Sequence, residues 1–474
     1  MSARRDPTPW SGRRLHFIGV GGAGMSGYAR AAHALGASVS GSDRADSPYL
    51  ERLRRDGVLD ASIGHAAANV PGGAARAGTG GRAGAGSASG ASGDVEVVYS
   101  SAVPPDNPER VAARERGLRE RPRAELLGEL TALRRTIAVA GAHGKTTTTS
   151  MLVHALLGAG VEPGWLVGGS VGGGLPNARW SDGEWLIVEA DESDRSMLSL
   201  DVEIAVLTNV ELDHHATYGS LAELGDAFRA FLAGAARVVV WDRPQLLALC
   251  DGGAAGAAAV FDVRESTLTL EHGCSRFDWH GAEVRLQVPG AHNALNAAAA
   301  LEAVRLAGVD ERGAIQGLAG FDGAGRRFQR LGSSARGAVV YDDYAHHPTE
   351  VEATLSAART LEHGRLVAVF QPHLFSRTAL LAREFGAALA RADVVVVLDV
   401  YPARERQQDH PGVSGRLIAQ AAADAAHGRP VYWLPAFADA QHVLNELLGE
   451  GDVCVVMGAG DVDALARALV EAGS

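Results

Sequence analysis

The stretch TIAVAGAHGKTTTT, Thr136 to Thr149, constrains this chain more than any other. Ile137, Ala138 and Val139 read as a buried strand, Gly141 and Gly144 as a tight turn, and the threonines as the start of a helix. Strand, glycine turn and helix in that order form a phosphate cradle. Glycine lets backbone N–H groups approach oxygen closely, and a helix N-terminus favours negative charge. The nucleotide candidates here are Gly141, Ala142, His143, Gly144, Lys145, Thr146 and Thr147, with Lys145 reaching the outer phosphates and the Thr146 hydroxyl placed for Mg2+. Lys145 is the only lysine in the chain, so a compact ammonium is retained here where every other long basic side chain is arginine. A strict GxxxxGK[ST] loop would need glycine at 139, where Val139 stands, so this loop is the shorter G-x-x-G-K-T-T.

Upstream, residues 15–43 read as strand, glycine turn, helix and second strand. Gly19, Gly21 and Gly24 spell GxGxxG, and Asp43 follows Gly24 by the spacing of a dinucleotide fingerprint. On residues alone this predicts NAD, or a βαβ unit holding another diphosphate. The Gly/Ala/Ser/Arg tract at 71–93 has no apolar periodicity and is expected to be a flexible surface insertion. A strand is expected at 95–103, ending in Ser100 and Ser101, then a helix from Arg114 to Leu133.

After the phosphate loop, strand WLIVEA (185–190) ends in Glu189, Asp191, Glu192 and Asp194, and strand IAVLTNV (204–210) ends in Glu211, Asp213, His214 and His215. Acids and imidazoles at the carboxyl ends of parallel strands beside a phosphate loop suggest Mg2+ ligands around a triphosphate. The helix following Pro289 opens with His292, Asn293 and Asn296. These either cap it or present two amides, three residues apart, to an adenine or ribose. Around 320–332 glycines and the pair Arg326, Arg327 have the look of an interdomain hinge whose arginines close onto phosphate. Beyond it strands and helices alternate again, with Asp342, Asp343, Tyr344, His346, His347, His373, Ser376 and Arg377 at strand ends. Orientation of a carboxylate or phosphate is the favoured role of those histidines and arginines, over a metal site at His346–His347.

The length of 474 residues allows two to four domains. A net charge of −12 argues against broad nucleic-acid binding. Three widely spaced cysteines make no disulfide or zinc framework, and no run of apolar residues is long enough to span a membrane; a cytoplasmic protein is expected.

At this point the chain resembles the Mur ligases over nearly its full length. The resemblance is carried by HFIGVGGAGMSG (16–27), GSD (41–43), AGAHGKTTTT (140–149), EADESD (189–194), TNVELDHHATY (208–218), VPGAHNALNA (288–297), RRFQ (326–329), DDYAHHPTEV (342–351) and FQPHLFSRT (370–378). It implies an α/β protein of three domains: a Rossmann-like UDP-binding domain (1–134), a central P-loop ATPase α/β domain (135–328) and a C-terminal Rossmann-like α/β domain contacting an amino acid (329–474). It implies ATP and Mg2+, with UDP-N-acetylmuramate and L-alanine joined through an acyl phosphate, no nucleic-acid or membrane partner, and a monomer or dimer. Gly21, Gly22, Ala23 and Gly24, with Asp43 and Ser100, would then hold the UDP-sugar instead of NAD. Lys145, Glu189, His214, His346 and Arg377 are the implied catalytic residues. Thr146, Glu189 and His214 are the implied metal ligands, and His292, Asn293, Asn296, Arg327 and Asp343 nucleotide contacts, with Tyr344 beside the incoming alanine. The chain departs from the family pattern in two places: Ala142 stands where threonine is usual, and Leu374 replaces the first arginine of QPHRYSRT. With one lysine, it also cannot use a second, carbamylated lysine to bridge magnesium ions. The rivals are a related ligase that attaches a recycled tripeptide to the same nucleotide and, from GxGxxG with Asp43, an NAD-dependent dehydrogenase.

Overall fold

Four sheets organise the described residues, and the burial of their strands explains the sequence pattern of each. The computed structural model describes residues 8–72, 94–213, 217–250 and 258–471. His214, and most of the 71–93 tract, lie outside the described residues. The described chain divides into two compact units. Met1–Gly169, Leu175–Phe261 and Ala299–Ala314 form one; Ser170–Gly174, Asp262–Ala298 and Ile315–Ser474 form the other.

The first unit carries two sheets. In the first, β1 (Arg14–Ile18), β2 (Ser38–Asp43), β3 (Ser62–Ile63), β4 (Val95–Tyr99) and β5 (Arg119–Pro122) are all parallel, in the order β3-β2-β1-β4-β5. The second holds β6 (Arg135–Ala140), β7 (Gly164–Leu166), β8 (Ala178–Arg179), β9 (Trp185–Glu189), β10 (Ile204–Leu207), β11 (Arg237–Trp241) and β12 (Ala259–Phe261), in the order β12-β11-β10-β6-β9-β7-β8. Only its edge strand β8 is antiparallel. Both sheets put their glycine turn at a switch point: β1 is flanked by β2 and β4, and β6 by β9 and β10, so the crevice outside the carboxyl end of each central strand is open to a ligand. Parallel strands covered on both faces read as unbroken apolar runs, as WLIV of β9 and IAVL of β10 do.

The second unit holds a small antiparallel sheet and a larger, mostly parallel one. In the small sheet, β13 (Thr269–Glu271), β14 (Cys274–Trp279) and β15 (Ala282–Leu286) alternate apolar and polar residues, so Phe277 pairs with Val284 on the buried face. The larger sheet comprises β16 (Gln329–Ser333), β17 (Val339–Asp343), β18 (Leu366–Phe370), β19 (Val394–Val397), β20 (Val431–Trp433) and β21 (Val453–Met457). Its order is β16-β17-β21-β18-β19-β20, with β16 alone antiparallel.

Helices α1 (Ala23–Ala34), α2 (Pro48–Arg55), α3 (Pro108–Glu115), α4 (Arg123–Thr131), α5 (Lys145–Gly158) and α6 (Leu221–Ala233) serve the first unit. The single helix expected from Arg114 to Leu133 is a correction: α3 ends at Glu115, β5 follows, and α4 begins at Arg123. Gly117, with φ +65°, turns the chain, and Pro122 has no N–H to continue a helix. Arg121 on β5 is buried between the Glu96 and Glu129 carboxylates, and those partners are 25 and 8 residues away in sequence. In the second unit the helix Phe437–Leu447, between β20 and β21, is an element that the sequence reading passed over.

Behind β1 and β2 lies a buried polar cluster. His16 Nε2 and the Ser42 hydroxyl reach Glu109 Oε2 at 2.9 and 2.7 Å, while Asn69 Nδ2 and the Ala66 N–H donate to Oε1 at 2.8 and 3.1 Å. Burial pushes the Glu109 carboxyl up, but His16, Ser42 and Asn69 outweigh it and bring it down to about 2. A carboxylate whose folded pKa lies below its ordinary 4.5 adds stability that is present above that value and disappears as pH falls toward 2. Chemical denaturation at a series of pH values should therefore show stability falling across that window. Glu109→Gln should flatten the acid dependence and lower stability at pH 7 by about 3 kcal/mol, because it breaks a buried charged cluster.

Candidate functional site

The glycine turn after β1 is held from two sides. Gly19, with φ +79°, and Val20 donate their N–H groups to Ser42 O at 2.8 and 3.1 Å. Asp43 Oδ2 accepts the Gly21 N–H at 2.7 Å, and the Ser47 hydroxyl donates to Gly21 O at 2.9 Å. Helix α1 starts one residue after Gly22, with no side-chain cap on its first N–H groups among the described residues. The turn thus gathers Gly21, Gly22, Ala23, Gly24 and Asp43, and Ser100 flanks it: a Cβ on Gly19 would lie 4.0 Å from Ser100 Oγ. On the far side Asn177, beside β8, donates to Ala23 O at 2.7 Å and to Ser26 Oγ at 3.1 Å.

The phosphate loop is stitched to the end of β10. The Thr208 hydroxyl and Asn209 Nδ2 donate to His143 O at 2.7 and 2.9 Å, Asn209 Oδ1 accepts the His143 N–H at 2.9 Å, and Asn209 O accepts the Ala142 N–H at 3.2 Å. The loop approaches so closely that a Cβ on Gly141 would overlap the Thr208 hydroxyl, and Gly141 also has φ +135°. Gly144 is left-handed at φ +81° and serves as the N-cap of α5, where Lys145, Thr146 and Thr147 form the first turn. The absent hydroxyl at Ala142 is not needed for the shape of the loop, which its backbone bonds already set. The His143 ring turns to Glu211, with Nε2 3.0 Å from the carboxylate.

Lys145 Nζ donates to Gly141 O at 2.6 Å, Ala142 O at 3.2 Å and Glu192 Oε1 at 2.9 Å. Burial works against its charge, but the Glu192 and Asp191 carboxylates outweigh burial and hold the ammonium above its ordinary pKa. Glu189, at the end of β9, faces Gly168, where a Cβ would stand 2.7 Å from Oε2; glycine there leaves room at the carboxylate. A threonine hydroxyl and a carboxylate are hard oxygen donors, so Thr146 and Glu189 suit Mg2+ and not a soft metal.

The second unit holds the remaining candidates. Arg326 is left-handed, at φ +55°, and its guanidinium reaches Asp342 Oδ2 at 3.1 Å, Gly458 O at 2.9 Å and Gly460 O at 3.3 Å. It therefore does not stand open to a phosphate, as the sequence reading allowed. Asp343 accepts the N–H groups of Phe328 and Ala345, both at 2.7 Å. Burial pushes its carboxyl up to about 6, against the pull of Arg327 and these two N–H groups. Arg326 and Arg327 both pack on the Tyr344 ring, at 5.0 and 5.1 Å from its centroid. Tyr344, His346, His373 and Tyr401 continue as a chain of ring contacts, and Arg377 Nη1 lies 3.3 Å from His373 Nδ1. His346 Nδ1 is 2.9 Å from Tyr344 O, which favours the tautomer with the lone pair on Nε2. Leu374 occupies a left-handed position, φ +69°, and is buried. At the helix Ala291–Ala307, Asn293 Nδ2 donates to Pro289 O at 2.7 Å and Asn296 Nδ2 lies 3.4 Å from Asn293 Oδ1, while burial takes the His292 imidazole down to about 4.

Four contributors were absent from the expected site: Arg123, Asn177, Thr208 and Asn209. Glu192 was expected only as one of a group of acids. Replacing Gly141 with alanine tests the loop geometry directly. Overlap plus a positive φ should lower stability by about 3 kcal/mol, read as a lower midpoint in chemical denaturation.

The chain matches the Mur ligase family, catalytic domain, over residues 14–135, the Mur ligase middle domain over 139–304, and the Mur ligase, glutamate ligase domain, over 326–460. It is 42% identical to the UDP-N-acetylmuramate–L-alanine ligase of Thermobifida fusca, covering 97% of this chain and 96% of that protein. The enzyme of the same name from Kineococcus radiotolerans is 44% identical over 95% of this chain and 94% of its own. Among solved structures, the UDP-N-acetylmuramate-alanine ligase of Thermotoga maritima superposes with a TM-score of 0.78 at 27% identity, covering 97% of this chain and 98% of that one. A murein peptide ligase from Psychrobacter arcticus shares the fold, with a TM-score of 0.69 at 22% identity over 98% of this chain and 99% of its own. Three successive domain matches and relatives above 40% identity over almost the whole length place the chain in the Mur ligase family.

Proposed function

We propose that the chain is an ATP-dependent ligase that joins the lactyl carboxylate of UDP-N-acetylmuramate to L-alanine in peptidoglycan precursor synthesis, releasing ADP and phosphate. The observation that carries this reading is the glycine cradle with its single lysine, set in the same compact unit as an anion-ready turn, in a chain whose near full-length relatives bear that enzyme's name. Residues 1–134 are assigned to the UDP-sugar, 135–328 to ATP and 329–474 to the amino acid. The cell compartment proposed is the cytoplasm, as a monomer or dimer. No described helix is long and apolar enough to cross a membrane.

In this mechanism the turn at Gly21, Gly22, Ala23 and Gly24 receives the diphosphate, with the N–H groups of Ala23 and Gly24 turned to it and Gly21, Gly22, Asp43 and Ser100 shaping the turn. Gly141 to Thr147 cradle the ATP phosphates, and Lys145 exchanges Glu192 for the β- and γ-phosphates as charge develops on them. Thr146 and Glu189 would hold Mg2+, with His214 assigned to a second ion. When bound, Mg2+ neutralises the phosphoryl oxygens. The lactyl carboxylate attacks the γ-phosphorus, giving an acyl phosphate and ADP. The alanine amine then attacks the acyl carbon, expelling phosphate. His346, through Nε2, is assigned to take the amine proton, Arg377 to orient the alanine carboxylate and Tyr344 to line its pocket. His292, Asn293, Asn296, Arg327 and Asp343 are assigned to the nucleotide. Asp343 orders the chain there by accepting the Phe328 and Ala345 N–H groups, one on each oxygen.

Purified protein supplied with ATP, Mg2+, UDP-N-acetylmuramate and a panel of amino acids should release phosphate only with L-alanine. Release only with the tripeptide would instead identify the recycling ligase. Lys145→Ala should lower ADP release by at least about 10²-fold, and substantial turnover in that variant would sink the assignment of the loop.

A further inference from the structure

Arg123, the first residue of α4, stands between the glycine turn and the acidic loop that follows β9. Its Nε donates to Asp194 Oδ2 at 2.8 Å and its Nη2 to Asp191 Oδ2 at 2.6 Å. The remaining nitrogen, Nη1, faces the turn: a Cβ added to Gly24 would lie 3.7 Å from it, in ordinary contact. The Tyr28 hydroxyl lies on the same side, 4.0 Å from that Cβ position. The guanidinium is largely covered, with 18% of the side chain exposed. Two of its nitrogens are thus committed to one loop, and the third points at the place where an anion would sit.

The loop that Arg123 grips is the loop that grips Lys145. Asp191 and Asp194 flank Glu192, whose Oε1 takes a hydrogen bond from Lys145 Nζ at 2.9 Å. The loop backbone is held by the Tyr218 hydroxyl on Glu192 O, the Thr217 hydroxyl on Ser193 O, the Ser196 hydroxyl and Met197 N–H on Asp191 O, and the Arg195 N–H on Glu192 O. The frame around it is firm, because Asn177 ties the start of α1 to the β8 region and a Cβ on Gly27 would stand 3.0 Å from Ala178 Cβ. A pull on the guanidinium is therefore passed to the Asp191 and Asp194 side chains, which flank Glu192 in the chain.

We infer that Arg123 is a positioning residue that reads an anionic group of the acid substrate at the Gly21–Gly24 turn and, through Asp191 and Asp194, sets the hold of Glu192 on Lys145. The inference rests on the assignment of that turn to the nucleotide sugar. An anion at Nη1 draws the guanidinium toward the turn, lengthens its bonds to Asp191 and Asp194, shifts the residues that flank Glu192 and frees the lysine for phosphate. Binding of the two substrates is then mutually favourable, and by linkage equally so in either order.

The test measures ATP–Mg2+ affinity with and without UDP-N-acetylmuramate, and the KM of each, in wild type, Arg123→Lys and Arg123→Gln. Lysine keeps a charge for Asp191 and Asp194 but lacks the third nitrogen of the fork. Wild type should bind ATP at least about fivefold more tightly when the sugar nucleotide is present. Arg123→Lys should bind ATP alone within about twofold of wild type while its coupling falls to about one. Arg123→Gln should raise the KM for UDP-N-acetylmuramate at least about tenfold, the scale of one hydrogen bond between charged groups. Full coupling in a folded Arg123→Lys protein overturns the inference, as does an equal loss of both ligands in that variant. Wild-type protein that consumes ATP with both substrates yet shows no coupling overturns the inference alone. Wild-type protein that binds no UDP-N-acetylmuramate overturns the assignment of the turn, and the inference with it.

Discussion

The hold of β10 on the phosphate loop is the constraint from which the rest of the site follows. A loop of small residues has little side-chain packing to fix it, and the first N–H groups of the helix that follows are the ones left for a ligand. The shape must therefore be imposed from outside, and Thr208 and Asn209 impose it by occupying the carbonyl and amide of His143 and the amide of Ala142. Because β10 pairs directly with β6 from Ile204–Ile137 to Leu207–Ala140, those two residues arrive at the loop in register. The close approach then excludes any side chain at Gly141. Glycine at that position is a consequence of the strand pairing as much as of phosphate binding.

Charge is arranged around this loop in layers. Lys145 sits among Glu192, Asp191 and Glu189, and of these Asp191 is itself balanced by Arg123. Burial would push the Asp191 carboxyl up, yet Arg123 and Lys145 together hold it well below the usual carboxylate range. Asp191 and Lys145 are thus both ionised at neutral pH. A triphosphate entering the site meets an ammonium whose protein partner is already a carboxylate, so it replaces one anionic partner of Lys145 with another.

Legibility from sequence followed the distance between cooperating residues. Gly141, Lys145 and Thr146 were readable because strand, turn and helix start are adjacent, and helix Lys145–Gly158 has the limits expected of it. Asp43 and the turn at Gly21–Gly24 were readable for the same reason, as one βαβ unit. Arg123 with Asp191, Asn177 with Ala23, and Asn209 with His143 were not, because they are 68, 154 and 66 residues apart and nothing local marks them as partners. The short strand Arg119–Pro122 was hidden by its own composition: arginine and glutamate look helical until the neutralising partners of Arg121 are found on β4 and α4. In the second unit the two adjacent arginines are used differently. Arg327 lies beside Asp343, whereas Arg326 is bound to the carbonyls of the loop after β21.

The solitary lysine has a further consequence for the chemistry of the purified protein. Reagents that acylate ε-amines ordinarily distribute over many sites, but here only one such amine exists, and it is largely shielded. Held as an ammonium by three acceptors, it is also a poor nucleophile, because acylation needs the deprotonated amine. The protein should therefore tolerate amine-directed labelling that inactivates most nucleotide-dependent enzymes. Any label that does enter the side chain would report on the state of the phosphate loop without a background from other lysines.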